Sequence, residues 1–386
     1  MNKKSSFLAI LLLLGTLSNL GYTIGTHLNS YAKFNYWERF PAMKKAYDNS
    51  QYVNKHAVNW IPDEAVDAYA GGALIKGVNP IYIIADTPPL GKYLIGLSAL
   101  LIGNENYITL FAAGLSLLLL YVIGVSLLNS KTASLLLVFL VSSEHIFLNQ
   151  LIYTPLYDII QLVFLLGGFY LFQKGLVNKK YLIYLIFASV FLGLFISTKF
   201  FATGATIFGA WLLTVLIHKD WKRGAAVILT GPLAVFVLLL SYARSFILNP
   251  NIHKFLGIQK WVFLYHKSQL ILPLSIWPLI LFNQWHVWYG NKPVISDTQW
   301  SIMWPVVTIG SFTVIVCYLF KKLKHDIRIE PYMLWVVLYF LFFSFGEITS
   351  RYFVILIPVL YLLTLYGVVM LAMHYKRSKK YYESFI

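Results

Sequence analysis

Three carboxylates, Asp63, Glu64 and Asp67, fall within five residues of the stretch IPDEAVDAYA (61–70), in a chain that is only 12% charged. Pro62 suits the first turn of a helix, and acids just after it are favoured by the helix dipole. That reading makes Asp63 and Glu64 dipole caps. Asp63 and Asp67, at i and i+4, share a helix face, where two like charges cost stability unless a cation or a chemical task compensates. A carboxylate partly desolvated at a membrane face has a raised pKa and suits a general base. On these residues alone capping and catalysis both stay open. Ala65, Ala68, Ala70, Gly71, Gly72 and Ala73 are small, so this helix can lie close against another.

Basic residues that could answer these acids are spread along the chain. Lys92 sits in ADTPPLGKYLIG, where two prolines restrict the entry to a helix. It either lifts its ammonium to the headgroups or holds an anionic group such as a phosphate. Lys199 lies in STKFFATG between two apolar runs, and Arg351 and Tyr352 lie in GEITSRYFVILIPVL. Glu347 and Arg351 read most simply as a local ion pair. Lys92, Lys199, Arg351 and Tyr352 form the candidate phosphate-binding set, since guanidinium and ammonium groups suit that anion. Candidate substrate contacts are Asp67, Asp86, and Glu144, His145 and Asp158 of SSEHIFLNQLIYTPLYD. Charges at such depth are expensive and usually functional. The Glu144–His145 spacing is no recognised metal motif. No metal site is expected, although a divalent ion stays open.

The elements that must position these groups are membrane helices. The chain is 59% hydrophobic with a mean hydropathy of +0.68. Apolar runs of this length span bilayers as α-helices, because every backbone group must be satisfied internally. The sequence predicts ten spans, at about 7–26, 107–128, 132–149, 158–173, 181–198, 200–217, 225–243, 301–320, 332–346 and 352–373. The first reads as an uncleaved span rather than a signal peptide, for it is long and lacks a clear small-residue cleavage site. With the N-terminus inside, the basic segments at Lys3-Lys4, Lys131, 173–180, 218–224, 321–328 and 374–380 all fall on the cytoplasmic side. They hold 17 of the 31 Lys and Arg, with Asp220, Asp326, Glu330 and Glu383 the acids in or beside them. That is the positive-inside pattern.

Two apolar segments are not counted as spans, with a short tilted span staying open as the alternative. After its prolines 88–103 offers about 14 residues, roughly 21 Å of helix against a hydrocarbon core of about 30 Å. Counting it would place the basic clusters outside. It and 270–282 are read as interfacial or re-entrant segments on the outer face. Two large outer regions follow, 27–106 and 244–300, in one integral-membrane domain comprising 1–386. Residues 28–88 hold six of the 15 acids. The second region carries WHVWYGNKP (285–293), whose rings suit sugars, lipids or an interfacial belt. The formal net charge of +16 sets topology here and does not imply nucleic acid. Cys317 alone excludes an intrachain disulfide.

DEAVDAYAGGALIKGVNPIYIIADTPPLGKYLIGLSALLIG resembles the first outer loop of the GT-C glycosyltransferases, most of all the protein O-mannosyltransferases and the lipid A aminoarabinose transferases. An Asp-Glu pair, a small-residue helix ending in G-x-N-P, and PPLGK opening a juxtamembrane helix carry the likeness, and PPLGKYLIG is especially similar to the mannosyltransferase branch. Looser matches are Asp158 opening a span, TKFFATG, and SRYFVILIPVL. Where family members often carry His before the prolines, this chain has Asp86 and Thr87. The resemblance implies a GT-C bundle of about ten helices, Asp63 as catalytic base and Glu64 as its partner. It further implies a polyprenyl-phosphate-linked sugar donor and inversion at the anomeric centre, while the charge pattern puts the site on the extracytoplasmic side with both termini cytoplasmic. The acceptor, a lipid, glycan or protein hydroxyl, stays open. Membrane lipids are expected partners and nucleic acid is not. The rivals are a transporter or flippase of a lipid-linked or polar substrate, which would place polar groups mid-span and show inverted repeats, and an inactive assembly subunit.

Overall fold

Long apolar stretches leave the backbone no partner but itself, and the chain is helical almost throughout. The computed structural model describes residues 3–383 apart from 55, 59, 270–271, 288–293, 322 and 324, with side chains from 6 to 374. The first helices are α1 (Lys3–Thr26), α2 (Leu28–Tyr31), α3 (Tyr36–Asp48), α4 (Asp63–Ile75), α5 (Leu90–Ile102) and α6 (Tyr107–Leu128). There follow α7 (Lys131–Ser142), α8 (His145–Ile152), α9 (Tyr157–Val177), α10 (Tyr181–Thr198), α11 (Gly204–Ile217) and α12 (Trp221–Ser241). The remainder are α13 (Ala243–Leu248), α14 (Ile252–Ser268), α15 (Ile276–Phe282), α16 (Met303–Leu319), α17 (Glu330–Phe343) and α18 (Phe353–Glu383). Among the described residues the extended structure is limited to one bridge, Trp285 to Ile295.

Among the described residues six helices are long and apolar enough to cross a membrane: α1, α6, α9, α10, α12 and the Ser350–His374 stretch. The protein is therefore a multi-pass membrane protein. The predicted span 132–149 is instead a bent pair, α7 and α8 meeting at 59°, which makes a seventh if the two count as one. At the bend the hydroxyls of Ser142 and Ser143 bond back to the Phe139 carbonyl (2.9 and 2.8 Å), competing with the helical ladder. The predicted spans 200–217, 301–320 and 332–346 are shorter apolar helices of 17 residues or fewer. The 88–103 segment is a 13-residue helix, α5. Of the described residues 272–282 only 276–282 is helical, and 270–271 and 288–293 lie outside the described residues.

The bundle is built around α9, whose apolar window is 78% buried, against 22% for the peripheral α1. Phe169 and Phe172 of α9 stack on Tyr332 (4.7 Å) and Trp211 (4.9 Å). Polar side chains inside the bundle are paired across helices, where hydrocarbon would leave them unsatisfied. Gln173 receives the Tyr332 hydroxyl (3.0 Å) and donates to Ser126 (2.6 Å), and Trp335 Nε1 donates to Thr206 (3.1 Å).

The first long loop is folded onto one end of this bundle. Asn104 and Asn106 side chains hold the Ser30 carbonyl (3.0 and 2.7 Å), and Arg39 pairs with buried Glu105 (2.9 Å). As its small residues predict, α4 lies close on α5. A Cβ on Gly96 would stand 2.4 Å from the Gly71 carbonyl oxygen, and one on Gly71 would stand 2.8 Å from the Gly96 nitrogen. On its other side α4 packs under α3, where the Tyr36 hydroxyl donates to the Ala68 carbonyl (2.6 Å). These contacts fix where the first residue of α4, Asp63, emerges.

Candidate active site at the Asp63 end of the bundle

Four charged side chains from four distant parts of the chain meet at this end. Asp63 opens α4, Asp158 lies in the first turn of α9, Lys199 ends α10, and Arg351 lies in the turn Ser350–Tyr352 before α18. Helix ends are where a membrane bundle can place charge without burying it in hydrocarbon. The Arg351 guanidinium bridges both acids: Nη1 donates to Asp63 Oδ2, while Nη2 and Nε reach Asp158 Oδ2 at 3.1 and 3.4 Å. Lys199 Nζ pairs with Asp158 Oδ1 and stands 4.8 Å over the Tyr352 ring. The Tyr339 hydroxyl holds the Tyr352 carbonyl (2.8 Å) and so fixes the turn that carries Arg351. A small cavity beneath is lined by Asp158, Gln161, Lys199, Phe200, Thr203 and Tyr352, among others.

The four groups are graded in exposure. The Asp158 side chain is 2% exposed, Lys199 14%, Arg351 24% and Asp63 51%. Asp158 is thus the buried anchor that keeps two cations in place, and Asp63 is the open end. Asp63 makes no cap: its Oδ1 accepts from the Tyr52 hydroxyl (2.7 Å) and its Oδ2 from Arg351. Burial pushes the Asp63 carboxyl up, but the Arg351 charge, the hydrogen bonds from Tyr52 and Arg351, and the Lys199 charge outweigh it and hold the group below the usual carboxylate range.

Asp67, one turn on, is buried and faces the Tyr157 hydroxyl, which finds no well-formed hydrogen bond of its own. Burial pushes Asp67 well above the usual range, and the Asp63 charge adds to this against the opposing effects of Tyr157, Arg351 and Lys92. The two like charges expected on one face are therefore kept apart in ionisation. Glu64 is half-buried and makes no polar contact among the described residues.

Lys92 does not serve as the sequence suggests. It is fully buried, and its ammonium is spent on the carbonyls of Ile83 (3.0 Å), Ile84 (2.5 Å) and Thr87 (2.8 Å). An ammonium has three donors, so none remains for a phosphate. Lys92 instead holds the loop that presents Asp86. That residue is half-buried. Burial raises its carboxyl, with the Lys92 and His266 charges opposing. His266 of α14 lies 3.4 Å from the Asp86 carbonyl oxygen and 3.0 Å from Glu347 Oε2, with its ring 4.3 Å from Phe200. Glu347 thus pairs with His266 and not, as expected, with Arg351.

Glu144 and His145 are not brought into the cluster as substrate contacts. The buried Glu144 carboxylate is occupied by the Trp304 indole (3.2 Å) and the Tyr361 hydroxyl, and His145 points to the exposed surface. Among the described residues no group of three or more His, Cys, Asp and Glu could hold a metal ion. Tyr52 and His266 were not foreseen: neither stands in a pattern, and each reaches the site only because its helix or loop packs there.

No protein-family model matches the chain, and no curated protein matches it by sequence. Its fold is similar to a solved structure described as ArnT from Cupriavidus metallidurans bound to undecaprenyl phosphate, at a TM-score of 0.56 and 16% identity over 80% of this chain. The chain spans 55% of the length of that protein. The chain thus shares the fold of that protein over most of its own length.

Proposed function

We propose that the chain is a membrane glycosyltransferase that moves a sugar from a polyprenyl-phosphate donor to a hydroxyl acceptor at the outer face of the cytoplasmic membrane. The observation that carries this is the Asp63–Arg351–Asp158–Lys199 constellation at one end of a fold shared with a protein solved with undecaprenyl phosphate. Lys199 and Arg351, seated by Asp158, receive the donor phosphate, and the lipid tail lies among the helices. Asp63, open to the surface, accepts the acceptor's hydroxyl proton. The acceptor oxygen then bonds to the anomeric carbon from the face opposite the phosphate, with inversion. The sugar–phosphate bond breaks, and its electron pair leaves on the polyprenyl phosphate, whose negative charge the two cations stabilise. No metal enters this scheme.

The resting contact has a mechanistic consequence. While Arg351 sits on Asp63 the carboxylate is a weak base; a phosphate that draws the guanidinium away restores its basicity. Donor binding therefore arms the base. The charges also lie at helix ends and not mid-span, which favours transfer chemistry over transport. Glu64 and Asp86 line the acceptor side. The mannosyltransferase-like donor choice is read from PPLGKYLIG.

The test compares membrane lipids and surface glycans by mass spectrometry in cells with the wild-type chain, Asp63→Asn, or no chain. The expected result is a glycosylated product lowered on the order of 10²-fold or more in the variant. Product at wild-type rate from Asp63→Asn would overturn the mechanism, and substrate counterflow in proteoliposomes without any covalent product would replace it with transport.

A further inference from the structure

The turn that carries Arg351 belongs to a stretch, 344–352, that joins α17 to α18 without α-helix of its own. Polar groups in such a stretch need partners from elsewhere, and here the 244–300 region supplies them. The Leu274 nitrogen donates to the Ser344 carbonyl (2.6 Å), and His266 Nδ1 meets Glu347 Oε2 (3.0 Å). Trp285 Nε1 donates to the Ile348 carbonyl (2.9 Å). Each grip comes from a different part of that region: the end of α14, the turn before α15 and the residues after it.

The gripping residues are themselves seated. Ile276, Leu279 and Ile280 of α15 are buried in the main core, and Trp277 stacks on Phe340 of α17 with ring centres 4.6 Å apart. The Trp285 backbone pairs with Ile295 in both directions (2.9 Å each). Leu274 has a φ of 66°, a left-handed conformation that is rare away from glycine and persists where the surroundings impose it. Its side chain is exposed, so backbone contacts rather than packing hold it there. His266 reaches further. Its ring centre lies 4.3 Å from that of Phe200, the neighbour of Lys199, and its Nε2 lies 3.4 Å from the Asp86 carbonyl oxygen. It therefore touches both cation-bearing segments and the loop between α4 and α5.

A charged group on a turn is placed well only when a supporting shell locks it. We propose that the 244–300 region is a clamp on the two phosphate-binding cations, with His266 and Trp285 as its positioning residues. They hold 344–352 so that the Arg351 guanidinium faces Asp63 and Asp158, and a donor phosphate then meets Arg351 and Lys199 already in register. The inference rests on the reading of those two cations as the donor-phosphate site.

The test measures retention of a polyprenyl phosphate by the purified full chain in detergent, with thermal unfolding alongside. Trp285→Phe keeps an aromatic ring and removes the Nε1 donor. It should weaken retention about three- to tenfold, the scale of one hydrogen bond. The same change should have no effect in an Arg351→Gln background, because the clamp works through that side chain. Glu347→Ala should weaken retention likewise, and Glu347→Gln, whose amide oxygen still accepts from His266, should restore most of the loss. Wild-type retention in both Trp285→Phe and Glu347→Ala, or an equal loss from Trp285→Phe with and without Arg351, would overturn the clamp and leave the phosphate site in place. Retention untouched by Arg351→Gln and Lys199→Gln together would overturn the donor site and the clamp with it.

Discussion

Asp63 and Asp67 stand one turn apart on α4, yet their surroundings drive the two carboxyls in opposite directions. This separates their contributions to stability by sign. Asp63, held low, contributes stability that is present above the unfolded value of about 3.9 and is lost as pH falls through its lowered folded value. Asp67, held high, does the reverse. Below about pH 3.9 both states carry its proton and it costs nothing; as pH rises the unfolded chain ionises first, and stability falls until Asp67 itself ionises. Asp67→Asn keeps the shape and removes the titration. The Tm of the wild type should therefore fall more steeply than that of the variant between about pH 4 and pH 7, as followed by tryptophan fluorescence in detergent. Parallel slopes would show that Asp67 is not the group responsible. Lys92 teaches a related lesson. A lysine beside a proline pair reads equally as a phosphate ligand or a surface snorkel, and it is neither. Its burial among the carbonyls of Ile83, Ile84 and Thr87 depends on how the loop closes over α5.

At the scale of the element, the small-residue face of α4 is what brings chemistry to the bundle. The DAYAGGA run was legible as a close-packing surface, and it meets α5 at the Gly71–Gly96 contact. Gly96→Val would drive two methyls into the Gly71 backbone. Overpacking of this kind costs about 1–3 kcal/mol, and the strain would push α4 outward and pull Asp63 off Arg351. The expected outcome is a lowered Tm together with a loss of transfer larger than the loss of folded protein. Gly114→Val, where a Cβ meets nothing within 4 Å, is the control and should leave both unchanged. The bend between α7 and α8 was not legible. SSEH lies within a continuous apolar run, and hydropathy does not register that Glu144 is taken by Trp304 and Tyr361 from other helices.

At the scale of the whole molecule, orientation follows from charge asymmetry between the two ends. The acids of 28–88 cluster with the Asp63 end, and the short turns at Lys131 and 178–180 lie at the other. Under the positive-inside rule, a cysteine placed at Asn54 should react with an impermeant thiol reagent from outside intact cells and one at Asn178 should not. Labelling in the reverse order would move the Asp63 site to the cytoplasm and exclude the proposed donor geometry. The sequence by itself determined the class: a helical membrane protein with acids and PPLGK in one large loop. Hydropathy, helix length and charge bias are local quantities that any fold must respect. It also supplied Asp63, Asp158, Lys199 and Arg351 as separate candidates. Only the tertiary structure decided that these four form one linked cluster, that Glu347 belongs to His266, and that Lys92 and Glu144 are consumed internally. Residues 288 positions apart, as Asp63 and Arg351 are, share an ion pair because helix ends meet at one rim of the bundle. Nothing in the spacing of a single chain records which ends those will be.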